Sequence, residues 1–316
     1  MIIANPIYDI IFKRLMENKR VARFFIQTLT GEPVEEIAMM PQEYTYYSHV
    51  KKDQKEKKKE GHSDTEWEIL SLIRFDFVAT IRNANGEYKK VIIEIQKSNS
   101  STDLVRFRTY LGEQYKRVDV IEVASGKVEK ALPVISIYLL GFKLLEVPFV
   151  AIKVGRFYFD IIKQQEIQTK SDWIESLTHD GYFIQIPRIT GKPLTSLEKV
   201  LCVFEQNYFV DEKETIKEYE YPIDDEELKV MLELLKHAAS DKKTRRELEE
   251  AWWAEKKAEE LEKELQENKK ILKESKKILK ENKKILNESK KSLIEKDKKL
   301  IEKDREIEEL KKLLGK

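Results

Sequence analysis

The 316-residue chain has one cysteine, Cys202, so it can form no intrachain disulfide; the thiol sits in Val200-Leu201-Cys202-Val203-Phe204, where a buried small hydrophobe is expected. Its four histidines, His49, His62, His179 and His237, are scattered without the spacing of a zinc site and read as surface residues. No stretch approaches the apolar length needed to span a bilayer, so no membrane partner is expected. The N-terminus shows no basic region followed by an apolar run and a cleavage site, so a cytosolic protein is expected. Net charge is also lacking: 59 Lys and Arg against 58 Asp and Glu leave +1. The bulk field therefore argues neither for nor against a polyanionic partner, and any surface for one must be local.

What the chain does have is enough apolar content, 41%, for one sizeable core, and a length that allows about two domains. The charged residues, 37% of the total, concentrate in the C-terminal third. This divides the chain into a globular part, 1–222, and a helical part, 223–316. Asp224 or Asp225 can cap a helix from Glu226 to about His237. Beyond it, over about 258–314, Leu265, Leu272, Leu279, Leu286, Leu293, Leu300, Ile307 and Leu314 hold one heptad position, a coiled-coil signature that implies a homo-oligomer. If those residues are a, the d column (Asn268, Ser275, Asn282, Ser289, Lys296, Lys303, Leu310) is mostly polar, so a lone charged helix is the alternative.

In the globular part, Ile7, Ile10, Ile11 and Leu15, then Val21, Phe24, Phe25 and Leu29, recur at helical spacing as far as Gly31. Asp9, Lys13 and Glu17 lie one turn apart on the helix, as a solvated ion-pair ladder or as a polar edge leaning over the hairpin that follows. Residues 43–50 and 67–72 favour strand, with a lysine-rich exposed loop between them. A helix is expected over about 103–116, capped by Ser101 or Thr102 and carrying Arg106 and Tyr110 on one face. A strand follows at Leu132 to Leu140. The order is helix, three strands, helix, strand: an α/β (α+β) fold with an αβββαβ core and a mixed sheet. Further strands near Arg156 to Ile162 and Tyr182 to Arg188, and a helix over about 194–206, extend it.

The chemistry concentrates in Ile73 to Lys97. Two β-prone runs, Ile73 to Ile81 and Lys90 to Gln96, flank the turn residues Asn83-Ala84-Asn85-Gly86, which predicts a hairpin. Asp76 and Glu94 each interrupt an apolar strand, and a carboxylate that loses its hydration there persists only if a cation or donor compensates it. A turn centred on Asn85 sets Asp76 opposite Glu94, with Gln96 on the same face, an arrangement suited to a divalent metal. A two-residue Asn85-Gly86 turn pairs Asp76 with Ile95 instead and turns Glu94 away, so this reading needs an odd-length loop or a bulge. The plainer alternative is that both acids are neutralised by Arg74, Lys89 or Lys90.

Asp76, a short turn and Glu94-Ile95-Gln96 resemble the core of PD-(D/E)xK nucleases, in the variant where Gln replaces the usual Lys. With Asn5-Pro6-Ile7-Tyr8-Asp9-Ile10-Ile11-Phe12-Lys13, Arg106 and Tyr110, and Pro133-Val134-Ile135-Ser136-Ile137, the chain resembles the PD-(D/E)xK nuclease family transposases, or recombination-promoting nucleases. The likeness runs to about residue 145, and more weakly to about 258. It implies a restriction-endonuclease-like core at 1–145 and a Mg²⁺-dependent deoxyribonuclease linked to recombination or transposition. Asp76, Glu94 and the Ile95 carbonyl hold the metal in that reading, with Asp76, Glu94 and Gln96 catalytic. Asp9 is the first choice for an extra acid and Glu17 the second, while Lys13, Arg106 and Tyr110 position DNA. The rival reading is a nuclease-like binding or assembly module without activity, oligomerised by its tail.

Overall fold

The computed structural model describes residues 1–41, 43–49, 67–97, 101–123, 126–191, 193–313 and 315, and the side chains of 43–49, 67–74, 101–103, 262 and 313 are outside the description. The lysine-rich stretch 51–60 and His62 also lie outside the described residues.

The chain opens with β1 (Ile2–Ala4), α1 (Asp9–Glu17) and α2 (Lys19–Thr30). The Asn18 side chain breaks the two helices apart by accepting the Arg20 and Val21 N–H groups, and Gly31 ends α2 in the left-handed region at φ 73°. Next come β2 (Val34–Met39), β3 (Glu43–His49), β4 (Trp67–Arg74), β5 (Phe77–Asn83) and β6 (Tyr88–Gln96), then α3 (Ser101–Tyr115). They are followed by β7 (Asp119–Val123), β8 (Gly126–Lys130), β9 (Val134–Leu140), β10 (Ala151–Val154), β11 (Tyr158–Asp160), β12 (Gln165–Ile167), α4 (Asp172–Leu177) and β13 (His179–Gln185). A 3₁₀ turn at Ile186–Arg188, α5 (Ser196–Cys202), β14 (Ile216–Glu218), α6 (Glu226–Ser240) and the 72-residue α7 (Lys242–Leu313) complete the order.

Six strands form a mixed sheet in the order β10-β13-β9-β6-β5-β2. The β2, β5 and β6 neighbours are antiparallel, β6, β9 and β13 run parallel, and β10 returns antiparallel at the edge. Central β9 reads as a nearly continuous apolar run because both its faces are covered. Partners in the ladder share a face. Val78 and Ile92 pack with Phe75 and Val134 under Tyr110, Leu111 and Tyr115 of α3. On the other face, alongside Ile137, the Tyr182 hydroxyl donates to the Thr30 carbonyl at the end of α2. The sheet therefore lies between helical layers, with Phe12, Phe25 and Phe204 in edge and tilted contact at 5.4 to 6.3 Å in one of them.

Several boundaries differ from the sequence reading. Ile73 and Arg74 end β4, a partner of β3 in a separate two-stranded ribbon, so the hairpin's first strand starts at Phe77 rather than Ile73. The third antiparallel strand of the main sheet is β2, whose Val-Glu-Glu-Ile-Ala-Met sequence carries two adjacent acids on an edge strand and gave no strand signal. Ser101 and Thr102 lie inside α3 rather than before it. The strand expected near Arg156 to Ile162 is the short β11, paired with β12 in a small ribbon, while the edge strand β10 lies ahead of it where none was expected; the helix expected over 194–206 contracts to Ser196–Cys202 behind a Thr195–Glu198 capping box. His179 is half-buried rather than on the surface, its Nδ1 3.0 Å from the Tyr115 hydroxyl.

The chain separates into two compact units, Met1–Ala251 and Trp252–Lys316. Asp225 caps α6, and α6 with the first turns of α7 belongs to the first unit, where Arg14 pairs with Glu247 and Leu248 is buried. The second unit is the rest of α7 and the residues after it, with exposed side chains throughout its described residues apart from a few at its start. No helix of the described residues is long and apolar enough to cross a membrane.

Candidate metal centre

The β5–β6 turn fixes the position of everything in the site. Asn83 and Glu87 pair through the Asn83 N–H and the Glu87 carbonyl at 3.0 Å, leaving three residues, Ala84, Asn85 and Gly86, in the loop. Gly86 takes φ 79°, and the Asn83 side-chain oxygen accepts the Asn85 and Glu87 N–H groups. This is the odd-length loop that the facing acids require. It sets Phe77 against Ile93 and Val78 against Ile92, so one step further Asp76 stands opposite Glu94.

At that step the ladder changes character. The odd-numbered pairs exchange backbone bonds, as Asn83 and Glu87 do, so the Ile95 N–H points toward the β5 side. It donates there to the Asp76 carboxylate at 2.6 Å instead of to backbone. The carbonyl of a strand residue leaves on the same edge as its N–H, so the Ile95 carbonyl faces the Asp76 side as well. On the opposite edge the Gly141 N–H donates to the Gln96 carbonyl at 2.6 Å. A Cβ at Gly141 would meet the Lys97 Cα at 3.0 Å, so glycine lets the chain after β9 approach the end of β6 without displacing it.

Glu94 and Gln96 are each only 4% exposed. One Glu94 oxygen, Oε1, is buried with no hydrogen-bond partner. Burial raises the Glu94 carboxyl well above its usual range and the Asp76 charge raises it further, while the Arg106 charge and the Asp76 N–H draw it down. Burial likewise lifts Asp76 to about 7, against the pull of the Ile95 N–H; Asp9 pushes it up and Lys13 pulls it down. Neither acid forms an ion pair among the described residues. Lys89 binds Glu32, and Lys90 is used by Asp119 in a buried pair at 2.6 Å, so those lysines do not neutralise the site; the Arg74 side chain is outside the description.

The other expected residues divide. Asp9 and Lys13, paired at 3.0 Å on α1, act electrostatically on Asp76. Arg106 reaches in from α3, its guanidinium donating to Gln96 Oε1 at 2.8 Å. Tyr110 packs on Phe75 with ring centroids 5.0 Å apart and serves the core beneath α3. Glu17 is exposed. Two side chains were missed: Tyr138, opposite Glu94 in β9 and against Phe107, and Tyr8, whose ring lies 4.0 Å from the Lys97 ammonium. Tyr138 interrupts an apolar strand much as Glu94 does, and that interruption was its legible signal.

Among the described residues no group of three or more His, Cys, Asp or Glu side chains is arranged to hold a metal ion. The donors that Asp76, Glu94 and the Ile95 carbonyl would offer a divalent cation, completed by water, form a hard-oxygen set of the kind that suits Mg²⁺. The buried Glu94 oxygen without a hydrogen-bond partner fits that ligand role. No protein-family model, curated protein or solved structure matches the chain.

Proposed function

We propose that the protein is a Mg²⁺-dependent deoxyribonuclease with a restriction-endonuclease-like core formed by α1, β2, β5, β6, α3 and β9. The αβββαβ order and the acids at the adjoining ends of β5 and β6 support the core assignment. The observation that carries the reading is the buried, partnerless Glu94 oxygen on a carboxyl that also feels the Asp76 charge, both acids held above their ordinary range chiefly by burial. DNA as substrate, and the link to recombination or transposition, rest on the resemblance of the Asp76, Glu94-Ile95-Gln96 pattern to the PD-(D/E)xK nuclease family transposases.

In this reading Asp76, Glu94 and the Ile95 carbonyl would hold the cation, which would supply water activation and charge neutralisation at the scissile phosphate. Gln96 replaces a cationic lysine with a neutral amide. Its carbonyl end accepts from Arg106, whose guanidinium brings positive charge to the same corner for a phosphate. Lys13 adds a second cation beside Asp9. Purified protein should nick supercoiled plasmid with Mg²⁺ and not with EDTA, and Asp76→Asn or Glu94→Gln should each lower the rate roughly 100-fold or more. Native protein that binds Mg²⁺ yet leaves DNA intact under all divalent cations would favour the binding or assembly module instead.

A further inference from the structure

Over residues 268–292 of α7 the sequence repeats every seven residues, so each heptad position forms a column along the helix. Leu272, Leu279 and Leu286 form one column and Ile271, Ile278 and Ile285 another, every one of them 55 to 60% exposed. At the 3.5 residues per turn of a supercoiled helix these columns stand about 100° apart, with Ser275, Asn282 and Ser289 midway between them. The result is a stripe three columns wide and about 30 Å long, apolar at both margins and small and polar along its midline. A continuous exposed stripe of this kind marks a contact with another surface.

The flanks of the stripe identify that surface. Outside the isoleucines runs a column of Glu274, Glu281 and Glu288, and outside the leucines a column of Lys276, Lys283 and Lys290. Among the described residues none of those three glutamates forms an ion pair within its own helix; the pairs of this unit lie elsewhere, at Lys256–Glu259 and Lys299–Glu295. When two copies of one helix pack side by side in the same direction, the left flank of each faces the right flank of the other. Glutamates then meet lysines along both sides of the seam. In the opposite direction glutamates face glutamates and lysines face lysines.

From this charge arrangement we infer that 268–292 is a self-association surface and that its partner is a second copy of this chain, bound parallel and in register. The polar midline sets Ser275 against Ser275 and Asn282 against Asn282, a device that fixes register at some cost in stability. The remaining lysines, among them Lys270, Lys277 and Lys284, face outward on the side opposite the seam. Beyond Leu293 the second apolar residue follows its leucine instead of preceding it, as Ile294 and Ile301 do, and the seam ends there. The inference is independent of the nuclease reading.

The test uses the full chain at tens of micromolar concentration. Sedimentation should give a multimer, and Ser275→Cys in a Cys202→Ala background should cross-link between copies under mild oxidation. Glu274→Lys, Glu281→Lys and Glu288→Lys combined should weaken self-association at least tenfold while circular dichroism keeps its helical signal. Mixing that variant with one carrying Lys276→Glu, Lys283→Glu and Lys290→Glu should restore assembly as a mixed species. A monomeric native chain, a Ser275→Cys chain that assembles without cross-linking, or assembly indifferent to the charge reversals would each overturn the inference.

Discussion

Burial, more than repulsion between neighbours, holds the Asp76 carboxyl at about 7. Below the ordinary carboxylate range, folded and unfolded chains both carry the proton. Between about 4 and 7 only the folded chain keeps it, so the metal-free protein loses stability as pH rises through this window and levels off above it. Asp76→Asn removes this loss while keeping an acceptor for the Ile95 N–H. In EDTA at pH 8 it should stabilise the protein by about 1–3 kcal/mol in denaturant titration, and the gain should vanish near pH 4. An equal effect at both pH values would assign the change to packing instead. Gly141 makes a second prediction at this scale: Gly141→Ala forces the end of β9 off Lys97 and should cost about 1–3 kcal/mol, with weaker Mg²⁺ binding alongside the loss of stability.

At the scale of elements, the site depends on one loop. Gly86 at φ 79° closes three residues between Asn83 and Glu87, and Gly86→Val should destabilise the hairpin by about 1–2 kcal/mol, visible as a lower Tm. The hairpin was legible in the sequence because turn chemistry and two β-prone runs coincide there. Its register was not, because Asn85-Gly86 suits a two-residue turn as well as a three-residue loop; the Asn83 side chain, bonding the Asn85 and Glu87 N–H groups, favours the longer one. The break at Phe75 was hidden too. A continuous β-prone stretch from Ile73 to Ile81 gives no sign that its first residues pair with β3 and the rest with β6. The acids themselves could be read, since a carboxylate inside such a run is conspicuous. Arg106 on Gln96 could be read only as a helix face, because the sequence does not fix how α3 lies against the end of β6.

For the whole molecule, composition marked out a helical tail but placed its start at 223, where the charge density rises. The compact unit continues to Ala251, because α6 and the first turns of α7 bury Leu228, Leu232, Leu235 and Leu248. A chain ending at Ala251 should therefore unfold in one cooperative transition and keep metal binding, whereas one ending at 222 should expose that core and aggregate. The tail was legible in a different way, through strict repetition of its heptad columns.

The central claim is that Asp76 and Glu94 together capture one divalent cation. Calorimetric titration of Mg²⁺ into the full-length protein at pH 8 tests it without any substrate. The account predicts one saturable site per chain, lost in both Asp76→Asn and Glu94→Gln. Absence of binding to the native chain, or binding undiminished in both variants, would contradict it.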